Sequence, residues 1–311
     1  VRKVLVTAFA HPFLRESLMK RGFEVDVHET ISYQQLMNQI HLYEGLVITT
    51  RLHIDRDILD RANQLKWIGR LGSGMEIVDL VYAQSKGIAC FSSPEGNRTA
   101  VAEHCLGTLL TLMHKIEKSH LEIIGGKWLR DANRGAELTG KTVGIIGFGN
   151  TGAAFANLLS SFNVTVLVYD KYKNGFAENH IRESSLDQLL AYADVISIHL
   201  PLTAETTYLA NDTFFESLKR KPYFLNASRG KIVDTQALIA AMDKGLIAAA
   251  GLDVLENEDL TSYSGEENAV LKNLLNRNNV IVTPHIAGYS HESLFKMAET
   301  IIQKLEGLIG N

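Results

Sequence analysis

An apolar strand running straight into a glycine-rich turn constrains this chain more than any other feature. The segment reads Lys141-Thr142-Val143-Gly144-Ile145-Ile146-Gly147-Phe148-Gly149-Asn150-Thr151-Gly152, followed by a helical stretch at 153–162. Three glycines spaced G-x-G-x-x-G between a strand and a helix suit a strand–turn–helix packed back on a parallel sheet. Gly147 makes the turn, Gly149 lets the backbone approach a pyrophosphate, and Gly152 lets the helix lie close on the strand. The N–H groups that open the helix, around Asn150 and Thr151, then face the anion. The next strand ends in Asp170, at the distance where a carboxylate accepts the ribose hydroxyls of NAD and repels the 2′-phosphate of NADP. Lys171 and Lys173 soften that preference without reversing it.

The rest of the chain repeats the same alternation. Candidate strands at 3–7, 24–28, 45–49, 67–70 and 88–91, with amphipathic helices at 32–41 and 55–62, form a small doubly wound unit. A turn-rich stretch at 92–97 and a long helix at about 98–120 follow. A second series then runs through strands at 142–146, 165–169, 195–200, 223–226, 248–252 and 280–283, enough for a full dinucleotide-binding sheet. The remaining residues hold one amphipathic helix, 290–308, too little for a third domain. The expectation is an α/β protein in which residues 1–93 and 284–311 form a discontinuous substrate domain. The cofactor domain, 94–283, is inserted into it and includes a dimerisation segment at about 96–140.

Composition narrows the class further. The 311 residues are 46% apolar and carry a net charge of −4, so neither disorder nor a general nucleic-acid field is expected, and an anion must be held locally. Cys90 and Cys105 lie in apolar surroundings without metal-ligand spacing, and read as buried thiols of a reducing, cytoplasmic compartment with no metal site. No signal-peptide pattern opens the sequence, and no apolar run is long enough for a membrane helix.

Chemistry-bearing residues gather after strands of the second series. Arg229 follows 223–226 in Asn226-Ala227-Ser228-Arg229-Gly230. Asp253 and Glu258 follow 248–252, and His285 follows the last strand in Thr283-Pro284-His285-Ile286-Ala287-Gly288. Each alone has a bland reading as a surface or structural residue. Their convergence on one edge of one sheet, where ligands bind in such folds, points to a site.

These motifs, with Val101-Ala102-Glu103-His104 and His199-Leu200-Pro201-Leu202-Thr203, resemble the D-2-hydroxyacid dehydrogenase family along essentially the whole chain. The resemblance implies two doubly wound parallel-sheet domains, a Rossmann NAD-binding domain inserted into a flavodoxin-like substrate domain. It implies that His285 is the acid/base, that Glu258 pairs with it and that Arg229 holds the substrate. Cofactor contacts are implied at Val101, His199, Pro201, Thr206, Ala227, Ser228, Asp253 and Gly288, besides the glycine turn and Asp170. The loop Leu71-Gly72-Ser73-Gly74 is implied to bind the substrate carboxylate, chiefly at Ser73 and Gly74. A carboxylate beside an imidazole favours the protonated ring, and an arginine fork can bridge the carboxylate and carbonyl oxygen of a 2-oxo acid.

The family motifs do not choose the acid. Arg51 and Arg70, with Arg130 and Arg134 in the segment implied to reach a partner subunit, are similar to the cations that receive phosphate in the 3-phosphoglycerate dehydrogenase branch. A short form without a C-terminal serine-sensing domain is therefore expected, acting in serine synthesis. A glyoxylate/hydroxypyruvate reductase is the alternative, and an NAD-sensing binding protein a minor one. The expected partners are a small anionic 2-hydroxy or 2-oxo acid and a second copy of the chain, with no nucleic acid or membrane. Hinges are expected near 93–95 and 285–288.

Overall fold

Strand and helix alternate along nearly the whole chain, as the apolar spacing requires. The computed structural model describes residues 2–309. Residues up to Ala100, with those from Gly288 on, form one unit, and Val101–Ala287 form the other. The division falls a few residues later than the sequence boundaries at 93/94 and 283/284.

In the first unit, β1 (Arg2–Val6), β2 (Phe23–Val27), β3 (Gly45–Ile48), β4 (Trp67–Arg70) and β5 (Ala89–Ser92) make an all-parallel sheet ordered β2-β1-β3-β4-β5. The helices between them are α1 (Pro12–Lys20), α2 (Tyr33–Gln39), α3 (Arg56–Arg61) and α4 (Leu80–Ser85). Local chemistry sets their starts. Ser32 and Gln35 form a capping box at α2, and Asp55 and Asp79 accept amide N–H bonds at the starts of α3 and α4. Helix α5 (Pro94–Met113) begins with a proline, which tolerates the first helical turn because its missing N–H has no helical partner there.

The expected single helix at 98–120 is two. Lys115 adopts a left-handed conformation, φ 53°, between α5 and α6 (Ile116–Ile124). The apolar pattern continues through the break, which is why periodicity alone does not reveal it.

The second sheet holds seven strands among the described residues. They are β6 (Thr142–Ile146), β7 (Thr165–Tyr169), β8 (Ile181–Glu183), β9 (Val195–Ile198), β10 (Tyr223–Asn226), β11 (Ala249–Leu252) and β12 (Val280–Val282), all parallel and ordered β12-β11-β10-β9-β6-β7-β8. Six were expected. The seventh, β8, is a three-residue edge strand, Ile-Arg-Glu, too short and polar to show a strand pattern. Its helices are α7 (Asn150–Leu158), α8 (Leu186–Tyr192), α9 (Asp212–Glu216), α10 (Thr235–Asp243) and α11 (Gly265–Leu275).

Both faces of this sheet are buried, so successive residues serve opposite cores. Val143 and Ile145 join Phe155, Leu109 and Leu225 on one side, while Ile146 joins Phe214, Phe215 and Phe224 on the other. Helix α12 (His291–Ile309) belongs to the first unit and packs Ile301, Ile302 and Leu305 against Val4, Val6 and Trp67. Cys105 is buried as expected, whereas Cys90 is only half-buried because it sits on an edge strand. Among the described residues, no helix is long and apolar enough to cross a membrane.

Each sheet reverses its winding once, between β1 and β3 in the first unit and between β6 and β9 in the second. At such a point the loops leaving two adjacent strands diverge to opposite faces and open a crevice. The glycine turn leaves β6 and His199 follows β9, which places both at the second unit's reversal.

Candidate active site

The glycine turn is held by contacts that no larger side chain could keep. Gly147 has φ +97°, and a Cβ there would lie 2.4 Å from the His199 carbonyl oxygen; a Cβ on Gly152 would lie 2.0 Å from the Gly147 oxygen. Around Gly149 the space is open to 4 Å, so a ligand can approach the backbone. No side chain caps α7, whose first N–H groups, at Asn150 and Thr151, are left to water or an anion. Asp170 is tied to the turn, its carboxylate accepting from Phe148 N at 2.7 Å, Tyr172 N at 2.9 Å and Lys173 N at 3.0 Å. Burial opposes its charge, but these three amides outweigh burial and hold its carboxyl below the usual carboxylate range. Lys171 is paired with Glu205, and Lys173 donates to the Phe148 carbonyl. An open glycine, an uncapped helix start and an ionised carboxylate together fit the pyrophosphate and ribose of NAD.

Other residues expected around a cofactor line the same edge. His199 is 7% exposed and lies between Ser197 Oγ (2.9 Å from Nε2) and Thr151 Oγ1 (3.2 Å from Nδ1). The Thr206 hydroxyl donates to the exposed Pro201's carbonyl at 2.7 Å, shaping the turn after His199. Ser228 donates its hydroxyl to Asn226 Oδ1 at 2.8 Å, and Ala227 beside it is half-buried. Val101 is buried in the core under the glycine turn's helix.

Strands β10, β11 and β12 are neighbours, so the segments after them share one edge. Arg229 stands three residues beyond β10, its backbone carbonyl accepting from Asn226 Nδ2 at 3.0 Å and its Nη1 donating to the Ser228 carbonyl. His285 pairs through Nδ1 with both oxygens of Glu258, at 3.0 and 2.8 Å. It does so in a left-handed conformation, φ 55°, uncommon for a residue with a side chain.

Asp253 explains how that conformation persists. It is 2% exposed, and its carboxylate accepts from Thr283 Oγ1 (2.6 Å), Ile286 N (2.9 Å) and Ala287 N (2.7 Å), while its carbonyl accepts from His285 N (2.8 Å). The resemblance implies a nicotinamide contact for Asp253; the structure turns it inward, onto the backbone carrying His285. His104 adds a bond to Thr283 Oγ1 at 3.1 Å.

Sequence reasoning passed over Glu256 and Ser197. Glu256 accepts from Thr235 N at 2.9 Å and from the Tyr208 hydroxyl at 2.8 Å, anchoring the loop that carries Glu258. Nothing in an acidic loop marks one glutamate as the anchor. Ser197 was legible, since it and His199 are two apart on one face of an otherwise apolar strand.

In the first unit, Gly72 N and Ser93 Oγ are bonded at 3.0 Å, which fixes the 71–74 loop to the start of α5. Ser73 donates its hydroxyl to Asn97 Oδ1 at 3.0 Å, and Gly288 packs against the same Asn97 side chain. Among the described residues, the amides of Ser73 and Gly74 have no intrachain acceptor. Arg51 donates to the Thr7 and Ile31 carbonyls, bracing the segments that follow β1 and β2. Arg70, expected at a ligand, is 4% exposed with Nη1 3.9 Å from Glu76. Asp79 pairs with Arg56. Arg130 and Arg134 are exposed.

Residues 106–287 match the NAD binding domain of the D-isomer specific 2-hydroxyacid dehydrogenases. The chain is 35% identical over 315 positions to D-3-phosphoglycerate dehydrogenase of Archaeoglobus fulgidus, covering 98% of this chain and 58% of that one. It is 34% identical over 300 positions to glyoxylate reductase of Thermofilum pendens, covering 93% and 86%. The crystal structure of D-lactate dehydrogenase from Aquifex aeolicus, complexed with NAD and lactic acid, superposes with a TM-score of 0.85 at 27% identity over 99% of this chain and 96% of that one.

The buried imidazole of His199 has a consequence for stability. Burial lowers its pKa from the ordinary 6.5 to about 4, so between those values the unfolded chain takes up a proton that the folded chain refuses. Stability therefore falls as pH drops from about 6.5 toward 4, by up to about 3 kcal/mol, and this contribution levels off below that. His199→Gln, which does not titrate, is expected to reduce the loss between pH 7 and pH 4.5 by about 2 kcal/mol in urea unfolding. Equal losses in the two proteins would contradict a neutral, buried His199.

Proposed function

The chain belongs to the D-isomer specific 2-hydroxyacid dehydrogenase family, and on that premise we propose that it interconverts a small D-2-hydroxy acid and its 2-oxo acid, with 3-phosphoglycerate and 3-phosphohydroxypyruvate as the preferred pair. The observation that carries the reading is the His285–Glu258 pair, held on the sheet edge that also carries Arg229. NAD, when bound, supplies the acceptor or donor of hydride at C2 of the acid.

The chain's own residues handle the proton and the charge. Glu258 holds the ring of His285 through Nδ1, leaving Nε2 to exchange a proton. In the reductive direction Nε2 gives its proton to the carbonyl oxygen as C2 receives hydride, and in the oxidative direction it takes the hydroxyl proton back. Arg229, permanently cationic and forked, binds the acid and stabilises negative charge building on that oxygen. His285→Ala is expected to lower turnover by about 10²–10⁴-fold while NADH binding, followed by fluorescence, persists. Unchanged turnover would remove His285 from the chemistry.

The two arginines bear on which acid is used. The phosphate reading assigns Arg51 and Arg70 to a group of charge near −2, and it is supported by the similarity to phosphoglycerate dehydrogenases. The bonds of Arg51 to backbone carbonyls and the burial of Arg70 beside Glu76 favour a second reading, reduction of glyoxylate or hydroxypyruvate. Initial rates of NADH oxidation with phosphohydroxypyruvate, hydroxypyruvate, glyoxylate, pyruvate and 2-oxoglutarate decide between them. Preference for the phosphorylated acid, lost in Arg51→Ala, is the expected result; indifference to phosphate makes this a glyoxylate-type reductase. A protein that binds NADH but is silent on every acid would act as an NAD-sensing module.

A homodimer completes the proposal. Helix α6 has no buried residue, and Trp128 beyond it is 84% exposed. Yet this arm is bonded back along its own length, with Lys115 bonded to the Ala132 carbonyl, Lys118 to Asn133, and Ala136 N to the Met113 carbonyl. A second copy covering this apolar face accounts for an arm held in place with its indole in water. Light scattering at micromolar concentration is expected to give twice the 34.4 kDa chain mass; a monomer would overturn the assignment.

A further inference from the structure

The proton and charge transfers at His285 and Arg229 leave one buried polar chain without a task. It begins at Ser197 on β9, beside the buried thiol of Cys105 on α5. It passes from Ser197 Oγ to His199 Nε2 (2.9 Å), and from His199 Nδ1 to Thr151 Oγ1 (3.2 Å). Ser197 is 0% exposed, so its hydroxyl has no recourse to water. Thr151 is the second residue of α7, half-buried, at the uncapped helix start behind Gly149. The ring of His199 is packed beside Phe155 at 5.6 Å, and the glycine turn rests on its backbone and Cβ, so it cannot swing aside.

We propose that His199 is a positioning residue for the dinucleotide's pyrophosphate: as the neutral Nδ1–H tautomer it donates to Thr151 Oγ1 and so turns that hydroxyl's own proton outward, toward the anion at the start of α7. The proposal deepens the assignment of this turn to NAD and rests on it.

The direction of the chain follows from the donors available. A neutral imidazole has one donor nitrogen and one acceptor, and burial, which pushes His199 down to about 4, keeps it neutral. If Nδ1 accepted, Thr151 would use its only proton on the ring and present lone pairs to a phosphate, a repulsive contact. If Nδ1 donates, Nε2 must accept, and the Ser197 hydroxyl is placed to donate to it. In this sense of travel every donor meets an acceptor, and the one proton left over points at the pyrophosphate. An anion at the helix start selects this arrangement over its reverse.

The test pairs a spectroscopic readout with binding. In protein carrying ¹⁵N-labelled histidine, long-range ¹H–¹⁵N correlation assigns the tautomer of His199, its signal identified by its loss in His199→Gln. The NADH complex is expected to show Nδ1–H with Nε2 unprotonated. Thr151→Val, nearly the same shape without the hydroxyl, is expected to weaken NADH about tenfold, and Thr151→Ser to restore it. The loss should extend to ADP-ribose, which has the pyrophosphate, and be absent for adenosine, which does not. An Nε2–H tautomer in the complex would overturn the proposal while leaving the cofactor assignment standing. So would wild-type NADH affinity in Thr151→Val, or an equal loss for adenosine, which would mark a merely structural defect. Wild-type protein that binds neither NADH nor ADP-ribose would bring down the cofactor assignment and the proposal together.

Discussion

The chemistry of the second unit depends on one buried carboxylate. Asp253 sits directly after β11, out of water, and takes the hydroxyl of Thr283 and the amides of Ile286 and Ala287 while its backbone takes that of His285. A left-handed backbone at a residue with a side chain costs about 1–2 kcal/mol, and it persists only where surroundings over-determine it. Hydrogen bonds to a charged acceptor contribute about 1.5–3 kcal/mol each, so three of them outweigh that cost comfortably. The conformation directs His285 onto Glu258. Removing the carboxylate would leave two amides without acceptors and the imidazole without a fixed direction, although Asp253 touches neither Glu258 nor the ring.

A second constraint comes from topology. Because all strands in a unit run the same way, every strand delivers its following loop to the same edge, and the winding reversal opens a crevice there. The glycine turn, His199, Arg229, Asp253 and His285 all occupy such loops of a single sheet. Their spacing is inherited from strand pairing: β10 registers Asn226 against Leu252 on β11, and β11 registers Leu252 against Val282 on β12. Positions scattered over more than a hundred residues of sequence become neighbours through ladders of backbone hydrogen bonds.

Much of this was legible in the sequence, for reasons that particular residues make clear. Strand β6, the turn at Gly147 and Asp170 after β7 stand out because backbone geometry there tolerates few side chains and because a sheet buried on both faces writes continuous apolar runs. The alternation of those runs with helices gave the two sheets, and the motifs after β10, β11 and β12 gave the Arg229, Glu258 and His285 set. The sequence concealed features that depend on direction. The break at Lys115 lies inside an unbroken apolar pattern, and β8 is too short to have one. That Asp253 faces its own chain, that Arg70 is buried, and that Arg51 braces the segments after β1 and β2 are facts of side-chain orientation, which residue identity does not encode. Ser197 was readable from its two-residue spacing to His199, but only with a reason to ask what a buried imidazole bonds to.

The position of β12 has a mechanical meaning. It is three residues long and lies at the margin of the sheet, paired on one side to β11. Sheet margins are where native proteins fray first, opening locally at little free-energy expense while interior strands open only with the whole domain. A turn hanging from such a strand would share its looseness. By bonding the turn after β12 to a carboxylate that follows β11, a strand paired on both sides, the protein ties His285 to more of the sheet than the edge strand that carries it.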